Sequence, residues 1–380
     1  MDLKQARDEF PITRSCVYLD SATYGPHSLR YVGTLTEVAE RLSREPLGTT
    51  STRIEQVRAS AARLIHASPE RVSFMHSTSE GATLLAQGLD WRSGDEVILY
   101  EHEFPGSVAP WLSLADRGVR VRVIPDRDRQ RFELDDIDAL LSPRTRVICV
   151  SLVNNLNGFR APVAAIRELC AGRDIWIACD AVQAMGALDL DVAALGADVV
   201  AAHGYKFLLS GFGNSAVYFS DRALRELHLR MVGSRNSGGD TPELLHRGLT
   251  PPTDGKRFEI SVPNLPSLIA MGESLDLLLE VGMEEIEDHV LDLSARLMAG
   301  ARERGYGIAS SELSGERSAV VSMTPTGMPA ADVHAQLRER GVVCALRDGR
   351  LRFACHLFNT EEEIDEAVAA LPEPKHQALP

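Results

Sequence analysis

The sequence predicts an α/β protein: a large domain on a mostly parallel seven-stranded sheet, followed by a smaller C-terminal α+β domain. Three observations carry this expectation. Between residues 57 and about 220, short β-branched runs alternate with helical segments. Most of these runs are apolar at every position, as strands covered on both faces must be. Beyond a stretch rich in Gly, Ser and Pro, a separate β-α-β-α pattern begins.

Taken in order, strands are expected at residues 72–75, 96–100, 119–124, 147–151, 175–180, 199–202 and 215–219. Residues 163–171 form one of the helices between them, and 135–141 a short helix whose first-turn acids complement its dipole. Residues 225–256, with Gly233-Ser234-Arg235-Asn236-Ser237-Gly238-Gly239 and Thr250-Pro251-Pro252, form a linker or the border of a site. A long helical stretch follows from 266 to about 304, and then the pattern 319–323, 330–340, 342–346 with 351–354, and 360–371. The expected division is an N-terminal segment, 1–16, packing on the small domain, a large domain at 17–262 and a small domain at 263–380. The tail from Pro372 is expected to fray.

A formal charge of −14 and a pI near 5.3 argue against nucleic acid or an anionic membrane as partner, because either normally requires a basic face. Phosphorylated small molecules remain compatible, since loop amides bind them locally. No apolar run is long enough to span a bilayer, and the first residues are too polar for a signal peptide, so a cytoplasmic protein is expected. The six cysteines lack C-x-x-C spacing, which favours reduced, buried thiols over disulfides or zinc. No metal ligand set is expected.

Against 36 arginines there are only four lysines, and Lys206 alone follows an apolar strand and precedes a Gly-containing loop, in His203-Gly204-Tyr205-Lys206. A lysine amine can bond covalently to an aldehyde, whereas a guanidinium stays charged and is a poor nucleophile. Asp180 ends another apolar run, where a buried carboxylate should face a cation. His76-Ser77-Thr78-Ser79-Glu80-Gly81 lies between a strand and a helix; its amides read as an anion site, or as an ordinary N-cap with Ser79 as the capping residue.

In their order and spacing these segments resemble class V aminotransferase-fold enzymes, a fold-type I group that uses pyridoxal 5'-phosphate and contains cysteine desulfurases, kynureninases and isopenicillin N epimerase-like proteins. The resemblance runs from Phe10-Pro11 to Asn359-Thr360. It implies that Lys206 anchors the cofactor and then acts as base at the substrate Cα, and that Asp180 holds the pyridine nitrogen charged. Thr78, Ser79, His203 and Tyr205 would border the phosphate, Phe104 would cover the ring, and Gln183 and Asn155 would meet its phenolic oxygen. Arg352, in Leu351-Arg352-Phe353-Ala354, would bind the substrate carboxylate, with Asn155 and Ala22 of Tyr18-Leu19-Asp20-Ser21-Ala22 beside it. A homodimer is implied as well, residues 257–264 reaching the neighbour.

The chain departs from desulfurases at several points. Phe104 stands where they carry histidine, and His203-Gly204-Tyr205-Lys206 replaces their Ser-Gly-His-Lys. Val262 replaces a phosphate-binding threonine, whose part falls to Ser261 or is lost. Cys344 precedes Arg352 by eight residues, but Val342-Val343-Cys344-Ala345-Leu346 reads as a buried strand and not as a mobile nucleophilic loop. The leading expectation is therefore an enzyme of α-amino acids, acting by β-elimination from a cysteine S-conjugate, a C–S lyase. Transamination, epimerisation, decarboxylating deamination and cysteine desulfuration are the alternatives within the class. From other classes, a non-catalytic cofactor-binding protein is disfavoured by the complete Lys206, Asp180 and Arg352 set. A nucleotide-dependent oxidoreductase is disfavoured because no G-x-G-x-x-G turn follows the first strand. Substrate choice is assigned to the loops at 24–27 and 235–253.

Overall fold

Seven strands form the central sheet of the computed structural model, which describes residues 1–45, 51–127 and 131–373. They are β1 (Val72–Met75), β2 (Glu96–Tyr100), β3 (Arg120–Ile124), β4 (Thr145–Ser151), β5 (Trp176–Asp180), β6 (Val199–His203) and β7 (Ser215–Phe219). Their spatial order is β1-β7-β6-β5-β4-β2-β3. Only β7 runs antiparallel to its neighbours β1 and β6; the remaining pairs are parallel. Strands β1, β2 and β7 are buried at every position, whereas edge strand β3 turns Arg120 and Arg122 outward, and charge on an edge discourages further pairing. The apolar runs found in the sequence agree with these strands to within two residues.

Helices cover both faces, and their apolar sides merge with the sheet into two cores on its opposite faces. Four of them border the site or buttress its scaffold: α1 (Leu29–Arg44), α2 (Ser51–Leu64), α3 (Thr78–Gly88) and α4 (Pro105–Leu112). The single helical stretch expected at 266–304 is two helices, α5 (Leu265–Val281) and α6 (Met283–Glu303). Gly282 separates them at φ 100°, a conformation open to glycine but not to a continuing helix. Helix α5 packs on α1 and α2, so the boundary expected at 262 falls before a helix that belongs by contact with the large unit.

The smaller unit holds an antiparallel sheet of β8 (Gly307–Ile308), β9 (Val320–Thr324), β10 (Ala345–Arg347) and β11 (Arg350–Ala354), in the order β10-β11-β9-β8. The strand expected at 342–346 is divided at Cys344. Ala345–Arg347 joins β11, whereas Val342–Val343 pairs in parallel with Val17–Tyr18 from the other end of the chain. Asp20 then bridges to Ala354. Residues 17–20, expected in the large domain, are thus hydrogen-bonded to the smaller one, because a short apolar strand pairs wherever an edge is free. The tail beyond residue 373 lies outside the described residues. Among the described residues, no helix is long and apolar enough to cross a membrane.

Arg58 and Glu259 lock α2 to the segment that leaves the sheet. Arg58 is 1% exposed, and its Nη1 lies 2.6 Å from Glu259 Oε1 and 2.7 Å from the Val72 carbonyl. The same carboxylate accepts from the Phe74 amide at 3.0 Å. Removing one member of such a pair leaves the other charged and desolvated. Glu55 keeps a second carboxylate 3.2 Å from Arg58 Nε, so Glu259→Ala should lower stability by about 2–3 kcal/mol, read as a fall in the urea midpoint; an unchanged midpoint would show that Glu55 alone satisfies Arg58.

Candidate active site

Lys206 lies in a turn directly after β6, and the backbone around it is confined on several sides. A Cβ on Gly25 would fall 2.0 Å from the Lys206 carbonyl oxygen, and one on Gly186 would fall 2.2 Å from that of Phe207. His356 donates from Nε2 to the Phe207 carbonyl at 2.9 Å, while its Nδ1 accepts the Leu357 amide at 2.7 Å, which fixes the tautomer. The Leu209 amide closes the turn on the Lys206 carbonyl at 2.9 Å. With the backbone held, the side chain projects into a cleft at the carboxyl ends of β4, β5 and β6, the usual ligand position in open α/β sheets.

Of the predicted residues, Thr78, Phe104, Asn155, Asp180, Gln183, His203 and Tyr205 line this cleft with Lys206. The amine stands 5.8 Å from the centre of the Phe104 ring and 5.9 Å from that of Tyr205. Burial pushes the Lys206 amine down to about 8, helped by the positive Arg352 and Arg347 and opposed by Asp180. Asp180 Oδ2 accepts from Ser107 Oγ at 2.8 Å and Oδ1 from the Val182 amide at 2.9 Å. Even so, burial raises its carboxyl above the usual range. Glu103, in the turn after β2, is raised to about 7 by burial, with Asp180 adding to the effect, and it accepts the Ser151 amide at 2.7 Å.

His203 places its ring between two hydroxyls, Thr78 Oγ1 at 3.0 Å from Nε2 and Ser215 Oγ at 3.0 Å from Nδ1. Burial, with Lys206 nearby, lowers it to about 4, so it is neutral at neutral pH. Its ring therefore orients the Thr78 hydroxyl and does not present a free N–H, the part expected of it at a phosphate. The N-cap of α3 is Ser77, whose hydroxyl accepts the Glu80 amide at 3.2 Å, and not Ser79 as the capping reading had it. Thr78 and Ser79 occupy the first turn, where amides have no partner within the helix. Tyr205 stacks on Phe212 with ring centres 4.7 Å apart, and Tyr24 closes on the pair.

Arg352 is 2% exposed. It donates to the Asn155 carbonyl at 2.7 Å and to Thr23 Oγ1 at 2.6 Å, and lies 3.5 Å from Asp20 Oδ1. Ala22 contributes its carbonyl oxygen, which accepts from Gln183 Nε2 at 3.1 Å. Thr23 and Ser107 were not anticipated. Thr23 immediately follows the recognised Tyr18–Ala22 segment, and Ser107 lies on α4, where a hydroxyl next to apolar residues gives no distinctive signal. Cys344 is 5% exposed, and burial pushes its thiol up to about 12.

The residues present fit the cofactor that the resemblance implies. Asp180 is a half-buried carboxylate with no ion pair among the described residues, positioned to compensate a cation. Gln183 Oε1 is buried without a hydrogen-bond partner. A lysine amine of lowered basicity stands opposite, next to the aromatic face of Phe104. An amine and a carboxylate facing each other across the ends of a mostly parallel sheet place the chain among fold-type I pyridoxal-phosphate enzymes. The family model for aminotransferase class-V matches residues 31–366, and the chain belongs to that family. Its cofactor is pyridoxal 5'-phosphate.

A probable cysteine desulfurase of Methanothermobacter thermautotrophicus is 28% identical, the match covering 96% of each chain. A probable cysteine desulfurase of Streptomyces coelicolor is 29% identical, over 98% of this chain and 96% of the relative. Among solved structures, the apo cysteine desulfurase of Thermococcus onnurineus superposes with a TM-score of 0.87 at 20% identity, covering 96% of each chain. A cystine C–S lyase in complex with its product cysteine persulfide superposes with a TM-score of 0.86 at 23% identity, covering 95% of this chain and 98% of that one.

Lowered basicity gives a pH signature. The neutral amine is the reactive form, so uptake of pyridoxal phosphate by the apoprotein should accelerate as pH rises through about 8 and level off above it. The measurement is near-visible absorption, with borohydride fixing the bound group, and Lys206→Ala should abolish fixation. A rise centred near the ordinary lysine value would contradict the buried position. Gly25→Ala should slow uptake severely, because its methyl group would displace the Lys206 carbonyl.

Proposed function

We propose that the enzyme cleaves the Cβ–S bond of a cysteine S-conjugate by β-elimination, as a C–S lyase. The observation that carries this reading is that Lys206 and Asp180 line one cleft, that Arg352 is tied to it through the carbonyl of the lining residue Asn155, and that Cys344, the thiol nearest Arg352 in sequence before it, is not among the lining residues. Arg352 holds the α-carboxylate as a two-pronged donor, and Thr23 and the Asn155 carbonyl keep its guanidinium in place. Lys206 Nζ takes the proton from the substrate Cα, which its lowered basicity makes possible near neutral pH. When bound, pyridoxal phosphate supplies the electron sink for that step. Asp180 keeps the sink effective by holding a positive charge opposite its carboxylate. Phe104 covers the site without carrying a proton, so proton movement rests on Lys206.

The second reading, cysteine desulfuration, is favoured by the names of the relatives. It requires an accessible thiol, and Cys344 is buried between Val343 and Ala345 with its thiol pushed up to about 12. We also infer a homodimer. Exposed Ser261 and Val262, the latter 55% exposed, are available to a partner. Arg257 is not, since it donates to the Leu224 and Leu227 carbonyls of its own subunit.

Holoenzyme given cysteine S-conjugates and water, without an amino acceptor, should release the thiol, pyruvate and ammonia in equal amounts, the thiolate leaving group taking up the proton removed from Cα. Arg352→Gln should reduce kcat/KM about a hundredfold through loss of the charge-assisted pair. Cys344→Ala should leave release of the sulfur fragment intact. Keto acid formed only with an amino acceptor would overturn elimination in favour of transamination, and loss of sulfide release in Cys344→Ala would establish desulfuration.

A further inference from the structure

Beside Arg352 stands a second arginine that the proposed chemistry does not use. Strands β10 and β11 form a hairpin whose two-residue loop is Asp348-Gly349, with φ 48° and 70°. Two successive positive φ values make the tight turn that fixes register in such hairpins. In that register Arg347 lies opposite Arg350, and Ala345 lies opposite Arg352. Residues directly opposite share a face, as do alternate residues along a strand. Arg347, Arg350 and Arg352 therefore stand on one face.

That face looks toward the cleft. Arg352 and Arg347 both donate to Thr23 Oγ1, at 2.6 Å and 3.5 Å. Arg352 is 2% exposed, whereas Arg347 is exposed and has no carboxylate within ion-pair distance among the described residues. The charges near the mouth are unequal in number. Two guanidinium groups, Arg347 and Arg352, face the single carboxylate of Asp20, which lies 3.5 Å from Arg352. Burial lowers the basicity of Lys206 and of Arg352, and the charge of Arg347 adds to the effect at both.

We propose that Arg347 binds a second anionic group on the substrate, selecting α-amino acids whose side chain ends in a carboxylate. This rests on the C–S lyase reading for its substrate class, but the site itself does not depend on the reaction. Arg352 takes the α-carboxylate, and Arg347, at the solvent end of the same face, takes the distal one. Thr23 is the hydroxyl shared between them.

Binding to the holoenzyme tests this without turnover. Succinate, glutarate and adipate are titrated calorimetrically beside their half-amides, which keep length but lose one charge. The best dicarboxylate should bind about tenfold tighter than its half-amide, and Arg347→Gln should remove that preference while leaving half-amide binding unchanged. Equal binding of acid and half-amide, or a preference that survives in Arg347→Gln, would overturn the site. Pyruvate release is then compared for S-carboxymethyl-L-cysteine and S-carbamoylmethyl-L-cysteine. A wild-type preference in kcat/KM for the carboxymethyl compound, lost in Arg347→Gln, extends the site to the reaction. Pyruvate from neither, with the dicarboxylate preference intact, sinks the elimination reading and upholds the anion site.

Discussion

The close approach of three separate stretches of backbone to the Lys206–Phe207 peptide is the constraint on which the site depends. Gly25 comes from the N-terminal segment, Gly186 from the turn after β5, and His356 from the smaller unit. A side chain at either glycine would push the peptide away, and His356 holds the Phe207 carbonyl with a ring that is fully buried and neutral at neutral pH. Neutrality follows from burial, which lowers this histidine to about 4. The lysine is thus fixed relative to both units at once, and the geometry of the cleft cannot drift independently of their packing.

From that position the electrostatics follow. A desolvated amine loses basicity and a desolvated carboxylate gains it, and Lys206 and Asp180 move in these opposite directions within one cleft. Ser107 and the Val182 amide stabilise the Asp180 carboxylate only in part, leaving it poised for a cation. Glu103, raised to about 7 by burial with Asp180 adding to it, can hold a proton at neutral pH, which avoids a second full negative charge on the same wall. Charge in the cleft is therefore arranged by burial as much as by pairing.

The sheet was legible because strands covered on both faces must be apolar throughout, and few other segments of this chain are. Lys206 and Asp180 were legible for a related reason: each is a charge at the end of such a run, where it is expensive unless it has work to do. The less visible features depend on distant partners. Nothing local marks Val17–Tyr18 as the mate of Val342–Val343, and Thr23 acquires its part only because Arg352 folds against it. Gly282 was readable as a breaker, but apolar periodicity on both sides concealed it within one helix. Ser77 and Ser79 are equally good capping residues by composition, and only backbone conformation distinguishes them. His203 was readable as polar and near the site, yet the two hydroxyls that occupy its nitrogens lie on different elements.

The parallel pairing of Val17–Tyr18 with Val342–Val343 also has a consequence for biosynthesis. A ribosome adding about 5–20 residues per second releases the first strand of this pair long before its mate exists. Until then the stretch that carries Asp20, Thr23 and Gly25 lacks the edge on which it finally lies. The sheet can assemble earlier, from strands that are all complete by Phe219. The nascent chain can therefore hold an assembled lysine strand before the edge that receives Val17–Tyr18 exists, and the site is completed only after translation has passed Arg352 and His356.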